Sequence, residues 1–150
     1  MAEHIRLVFP EENVIAVATL LEAQAPETCG TIWEHLPFEG ELIHGQWSGP
    51  EAYLLIDPSI RIGPENQTVH TLPGDVGYYS LAGGRLIDWP EDMAELAFIY
   101  GRGARPSMID GPVKVNVFAR IEENLEGFAD TCRRLRTEGV KAFRVERLGK

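Results

Sequence analysis

The sequence predicts a mainly β protein, a closed or nearly closed antiparallel β-barrel carrying two short helices. Three observations lead there. Short runs of alternating polar and apolar residues recur along the chain between Gly and Pro turn signals. Glycine (15) and proline (10) are moderately plentiful, as a fold with many turns requires. Two stretches alone show helical spacing. A chain of 150 residues is most simply one domain, 1–150, and long enough to bury a sizeable core.

His4–Phe9 (HIRLVF) alternates as a strand with one buried face should, and Pro10–Asn13 turns the chain. Val14–Leu21 (VIAVATLL) is a near-continuous apolar run, read as a second strand antiparallel to the first. Pro26-Glu27-Thr28 opens a helix that runs to about His35. Proline is tolerated in a first helical turn, Glu27 suits the positive end of the dipole, and Pro37 stops the helix. Cys29, Ile32, Trp33 and Leu36 recur at helical spacing, which makes Trp33 a core residue. Leu42–Trp47 and Ala52–Ile56 are strands on either side of a glycine corner. Val69–Leu72 is a short strand before the turn Pro73-Gly74-Asp75. Val76–Leu81 (VGYYSL) is another, interrupted by Ala82-Gly83-Gly84 and continued by Leu86 and Ile87. Leu96–Tyr100 (LAFIY) and Val113–Ile121 (VKVNVFARI) follow, the latter with its valines on one face. A second helix spans about Leu125–Thr137, with Phe128, Cys132 and Leu135 on a stripe and Gly139 as its stop. Val140–Leu148 closes the chain as a strand. Eight or nine short strands with two helices, and no repeat or linker, belong to a barrel or sandwich.

Composition excludes several classes of function. The net charge of −9 argues against a nucleic-acid partner and against anionic lipid, since both need concentrated Lys and Arg. No apolar run approaches a membrane span, and MAEHIRLVF lacks the basic start and apolar core of a secretory signal, so a cytoplasmic protein is expected. Cys29 and Cys132, the two cysteines, lie in separate predicted helices and are expected to remain thiols. The histidines lack metal-ligand spacing, and no cofactor or metal is expected.

The chain is organised around Phe38–Tyr53 (FEGELIHGQWSGPEAY), whose corner collects His44, Gln46, Trp47, Ser48 and Glu51 between glycines. Tryptophan offers a stacking face and a donor, serine a hydroxyl, glutamate a carboxylate and histidine a base near neutrality. The plain alternative has Trp47 plugging a barrel end and Glu51 in water. Glu65-Asn66, with Thr68 and His70, forms a second cluster, which reads equally as a turn cap. Tyr78 and Tyr79 point to opposite faces of one strand, so at most one lines a pocket. Tyr100-Gly101-Arg102 could offer a phenol and a guanidinium to an anion, or place Arg102 at the surface. Asn116 faces away from the valines around it. Trp47-Ser48-Gly49 has no nameable paired base, which excludes a serine hydrolase reading.

Ala25-Pro26-Glu27-Thr28-Cys29, then Leu36-Pro37, Gly40, Trp47-Ser48-Gly49 with Glu51, Glu65-Asn66 with Thr68, Pro73-Gly74 and Tyr100-Gly101 form an ordered series. Over roughly Val14–Ile121 it resembles an uncharacterised bacterial family of cyclophilin-like barrels, domain of unknown function 3830. The resemblance implies a cyclophilin-like barrel with two capping helices. Two positions depart from the family pattern: Gln46, where a basic residue often precedes Trp-Ser-Gly, and Ser80-Leu81, where Pro-Gly is usual. The Phe-His-Arg signature of prolyl isomerases is absent.

Three functional expectations follow. The first is a pocket at a barrel end that binds a small polar ligand, a carboxylate or amide, through His44, Trp47, Ser48, Glu51, Glu65, Asn66, Tyr79, Tyr100, Arg102 and Asn116. The second is an enzyme on such a ligand, with Glu51 or Glu65 as general base and Tyr100 as donor. The third is a peptidyl-prolyl isomerase or peptide binder. A homodimer is compatible with all three, because a small barrel can hide an edge strand by pairing.

Overall fold

A computed structural model of the chain describes residues 3–86 and 89–149; Ile87, read above as extending a strand, lies outside them. The chain begins with strands β1 (His4–Phe9) and β2 (Val14–Leu20), helix α1 (Pro26–His35), and strands β3 (Phe38–His44) and β4 (Glu51–Ile56). There follow β5 (Gln67–Thr68), β6 (Asp75–Leu81), β7 (Met93–Ile99), β8 (Ser107–Met108) and β9 (Gly111–Pro112). β10 (Val115–Glu123), helix α2 (Leu125–Glu138) and β11 (Lys141–Arg147) complete it.

Eight strands pair antiparallel in the order β2-β1-β11-β3-β4-β7-β6-β10, and β10 pairs back onto β2 to close the barrel. Closure removes the edges that an open sheet would expose. β5 adds to β10 on the edge opposite β6, the edge that β2 takes further along, and β8 and β9 form a separate hairpin outside the barrel wall.

The interior is filled with aromatic rings. Phe9, Phe98, Phe128 and Phe143 are fully buried, with centroids 4.9 to 6.1 Å apart in tilted and edge-on pairs. Phe128 comes from α2, whose buried stripe of Phe128, Ala129, Thr131, Cys132 and Leu135 lies against the barrel. Asn124 starts that helix by accepting a hydrogen bond from Gly127 N, and Gly139 ends it at positive φ. The lumen is therefore packed with interlocking side chains.

The structure moves several element boundaries. β3 begins at Phe38, because β11 pairs along Phe38–Leu42, and it ends at His44, leaving Gly45–Pro50 as a loop. Val69–Leu72 is not a strand. The pairing falls on Gln67–Thr68, and the Thr68 hydroxyl then accepts from His70 N at 2.8 Å, bending the chain away from the sheet. β7 starts at Met93 because β4 and β6 pair with it on both sides from that end.

Truncating Phe98 to alanine opens a cavity against the rings of Phe128 and Phe143 and is expected to cost about 3–5 kcal/mol. Leu72→Ala, at a site 59% exposed, should cost under about 0.5 kcal/mol. Urea unfolding of both variants checks the contrast.

Candidate functional site

A partly enclosed cavity lies on the outer wall of this packed barrel. Side chains alternate between the two faces of a strand, so β4 sends Ala52, Leu54 and Ile56 inward and Glu51, Tyr53 and Leu55 outward. Register places Glu95 of β7 opposite Leu55 on one side and Tyr79 of β6 on the other. Small Ala97 stands opposite Tyr53 between the two acids. Over this patch fold the Gly45–Pro50 loop, the β8–β9 hairpin and the segment before β7. They enclose about 170 Å³ lined by Trp47, Ser48, Glu51, Tyr53, Trp89, Met93, Glu95 and Met108, with Gly45, Gln46, Leu55 and Ser107 at its margins.

The local backbone explains the glycines of the corner. Gly45 N donates to Glu51 O at 2.8 Å, and a Cβ on residue 45 would stand 2.8 Å from Glu51 Oε1. The bare backbone at Gly45 thus makes room for the Glu51 carboxyl. Gly49 adopts φ +82°, which turns the chain back into β4. Ser48, 4% exposed, braces the cover: its Oγ accepts from Ser107 N at 2.9 Å, and its carbonyl accepts from Arg105 N at 2.9 Å. A hydroxyl committed in this way holds two loops together and is not a nucleophile.

Two carboxyls dominate the electrostatics. Burial pushes Glu51 up to about 7, with the Ser48 hydroxyl alone opposing it. Burial also pushes Glu95 well above the usual carboxylate range, and the Glu51 charge adds to that. Glu95 is 9% exposed, and among the described residues its carboxyl has no hydrogen-bond or ion-pair partner. Among the described residues no Lys, Arg or His lines the cavity. Tyr53, raised first by burial and then by Glu95 and Glu51, stands between them.

The expected single pocket divides into three places. Trp47, Ser48 and Glu51 line the cavity, and Tyr79 packs beside it against Met93. Glu65, Asn66 and Asn116 lie elsewhere and are occupied by the fold. Glu65 caps α1, accepting from Glu27 N, Thr28 N and Thr28 Oγ1 at 2.7–3.0 Å. Those bonds outweigh burial and hold its pKa below the ordinary carboxylate value. Asn66 takes positive φ and donates to Val117 O at 2.8 Å, while buried Asn116 donates to Gly63 O at 2.9 Å and Thr28 Oγ1 at 3.2 Å. His44 and Tyr100 face inward and form a third group under α2. His44 Nδ1 lies 2.7 Å from Gly45 O, so it carries the proton; Nε2 accepts from Tyr100 Oη at 2.7 Å and Arg136 Nε at 3.2 Å. Burial first, then Arg136, keeps the ring below its ordinary pKa. Arg102 is exposed.

The residues that sequence reasoning missed are Glu95, Tyr53, Trp89, Met93 and Met108. The available signal was a lone acid, Glu95, inside the apolar run Met93–Ile99. Burial pushes the Cys29 thiol up to about 12 and the Cys132 thiol up as well, so neither is a ready nucleophile. Among the described residues no group of three or more His, Cys, Asp or Glu could hold a metal ion, and no helix is long and apolar enough to cross a membrane.

The family model described as protein of unknown function, DUF3830, matches residues 7–146. The chain belongs to that family. This DUF3830 member is similar in structure to McbB, solved in complex with tryptophan, with TM-score 0.72 and 18% identity over 97% of this chain. It spans only 45% of McbB. It is also similar to the hypothetical protein AF2241 from Archaeoglobus fulgidus, with TM-score 0.57 and 22% identity over 97% of this chain and 95% of that one. These likenesses show the fold. A search of the curated proteins finds no match.

The buried acids set a pH dependence. Folded Glu51 and Glu95 keep protons that the unfolded chain releases near pH 4.5, so their contribution to stability declines as pH rises from about 4.5 through about 7, and for Glu95 beyond. For Glu51 the decline is on the order of 3 kcal/mol. The double variant Glu51→Gln/Glu95→Gln should gain stability over the parent between pH 5 and pH 8. Denaturant titrations at both pH values measure this, and an unchanged difference rejects the assignment.

Proposed function

We propose that this protein binds a small organic ligand in the outer-wall cavity, gripping its N–H groups through Glu51 and Glu95. The observation that carries the reading is the Glu95 carboxyl, buried and unpartnered among the described residues, facing a cavity with no basic side chain. A buried ionisable group without a partner is costly, and a ligand that supplies donors recovers that cost. Of the two ligand classes expected from the sequence, the amide suits this lining. A carboxylate does not, because it would meet two acids and no cation.

The rest of the lining supports a compact ligand with an apolar body. Trp47, Trp89, Met93 and Met108 offer flat and pliable apolar surface. A cavity of about 170 Å³ is close in size to engineered ones of about 150 Å³ that admit a benzene ring. McbB, a barrel of similar fold in complex with tryptophan, is a precedent for a small molecule on such a scaffold and does not name this ligand.

A second reading rests on Glu51. A carboxyl raised to about 7 beside a cavity is poised to take or give a proton near neutrality, the requirement for a general acid or base. In that reading Glu51 is the base, Glu95 the neutral donor, and the bound amide the substrate. No observation favours prolyl isomerase chemistry, since no arginine lines the cavity.

A thermal-shift screen of small amides, ureas and amines tests the reading. Hits should raise the melting temperature of the parent, and the shift should fall by more than half in Trp47→Ala, whose ring is 46% exposed and not needed for folding. Hits that act equally on Trp47→Ala, or no hits at all, would sink it. Turnover of a hit that vanishes in Glu51→Gln while binding persists would establish the second reading.

A further inference from the structure

We propose that the ligand is an organic cation, an amidinium, guanidinium or ammonium on a flat apolar body, seated between Glu51 and Glu95. The inference rests on the binding reading above and adds the charge of the ligand to it.

The geometry of the wall carries it. Glu51 pairs with Ile99 and Glu95 with Leu55, so the two acids stand at opposite ends of one cavity on neighbouring strands. Their backbones are four register positions apart, on the order of 13 Å along the strand direction. Both acids line the cavity together with Tyr53, which stands opposite small Ala97. The space left between the two carboxyls suits one group that can donate to both sides. A planar cation with N–H groups on two edges does this, whereas a neutral amide has donors on one edge and an acceptor on the other.

Charge points the same way. A cation entering this cavity meets two acids and no competing base among the lining residues. The aromatic rings of Trp47 and Trp89 add surfaces on which cations are favoured over neutral isosteres. The adjoining groove along Pro90, Glu91 and Asp92 is acidic, and Arg61 beside it is already held by Asp92 at 2.7 Å, while Arg85 lies close enough to Tyr79 to act on its phenol. The net charge of −9 draws cations toward the molecule as a whole.

Benzamidine, benzamide and benzoate are near-isosteres that differ in charge, and calorimetry with each provides the test. Benzamidine is expected to bind about tenfold or more tightly than benzamide, with benzoate undetectable. Glu95→Gln should lower benzamidine affinity by about tenfold while changing benzamide by less than about threefold, a split that a loss of folding would not produce. Benzamide binding as well as benzamidine, with both lost in Trp47→Ala, would overturn the cation and leave the N–H-binding pocket standing. Benzoate binding tightest would overturn both. If none of the three binds while the amide and urea screen gives Trp47-dependent hits, the cation inference alone falls.

Discussion

Strand β7 has no face toward water, and much of the molecule follows from that. Ala94, Leu96 and Phe98 fill the lumen side, while Met93, Glu95, Ala97 and Ile99 lie under the loops that cover the wall. Its hydrogen-bonding edges are taken up by β4 and β6. A strand buried in this way tolerates a carboxyl only if the acid keeps its proton or something opposite satisfies it. Glu95 therefore owes its raised pKa to this burial first and to the Glu51 charge second. The Ser48 brace, the bare backbone at Gly45 and the Met108 hairpin hold the cover over the patch.

Elsewhere the fold spends its buried polar groups on itself. Asn116, Thr28 and Glu65 join β10, α1 and the stretch before β5 in one network whose donors and acceptors meet. His44, Tyr100 and Arg136 fasten the end of α2 to the mouth of the barrel. These groups are rich in the chemistry that marks active sites, yet each has found its partner within the chain. The outer-wall acids differ in that Glu95 makes no hydrogen bond or ion pair among the described residues while it lines a cavity.

Much of the fold was legible, and for physical reasons. β1 and α1 fall where alternation, Pro26 and Pro37 put them, because both signals are local. The turn at Pro73-Gly74 and the stop at Gly139 were equally local. The site was only half legible. Trp47 and Ser48 sit in one loop with Glu51 directly after it, and they announced themselves together. Glu95 did not, since Ala94-Glu95 after Glu91-Asp92 reads as the tail of a turn until β4 and β6 are seen pairing on both sides. His44 and Tyr100 carried the right chemistry on the wrong face, a parity set by register with Ala52 and continuation from Phe98, which no short motif encodes.

Placing the cavity on the wall and not in the lumen separates two evolutionary pressures along a single strand. In β4 the even positions, Ala52, Leu54 and Ile56, answer to the aromatic core, and the odd positions, Glu51, Tyr53 and Leu55, line the cavity. Substitutions at the odd positions can reshape the cavity without disturbing a core of interlocked phenylalanines. A barrel with its site in the lumen has no such freedom, since there every change of specificity is also a repacking of the interior.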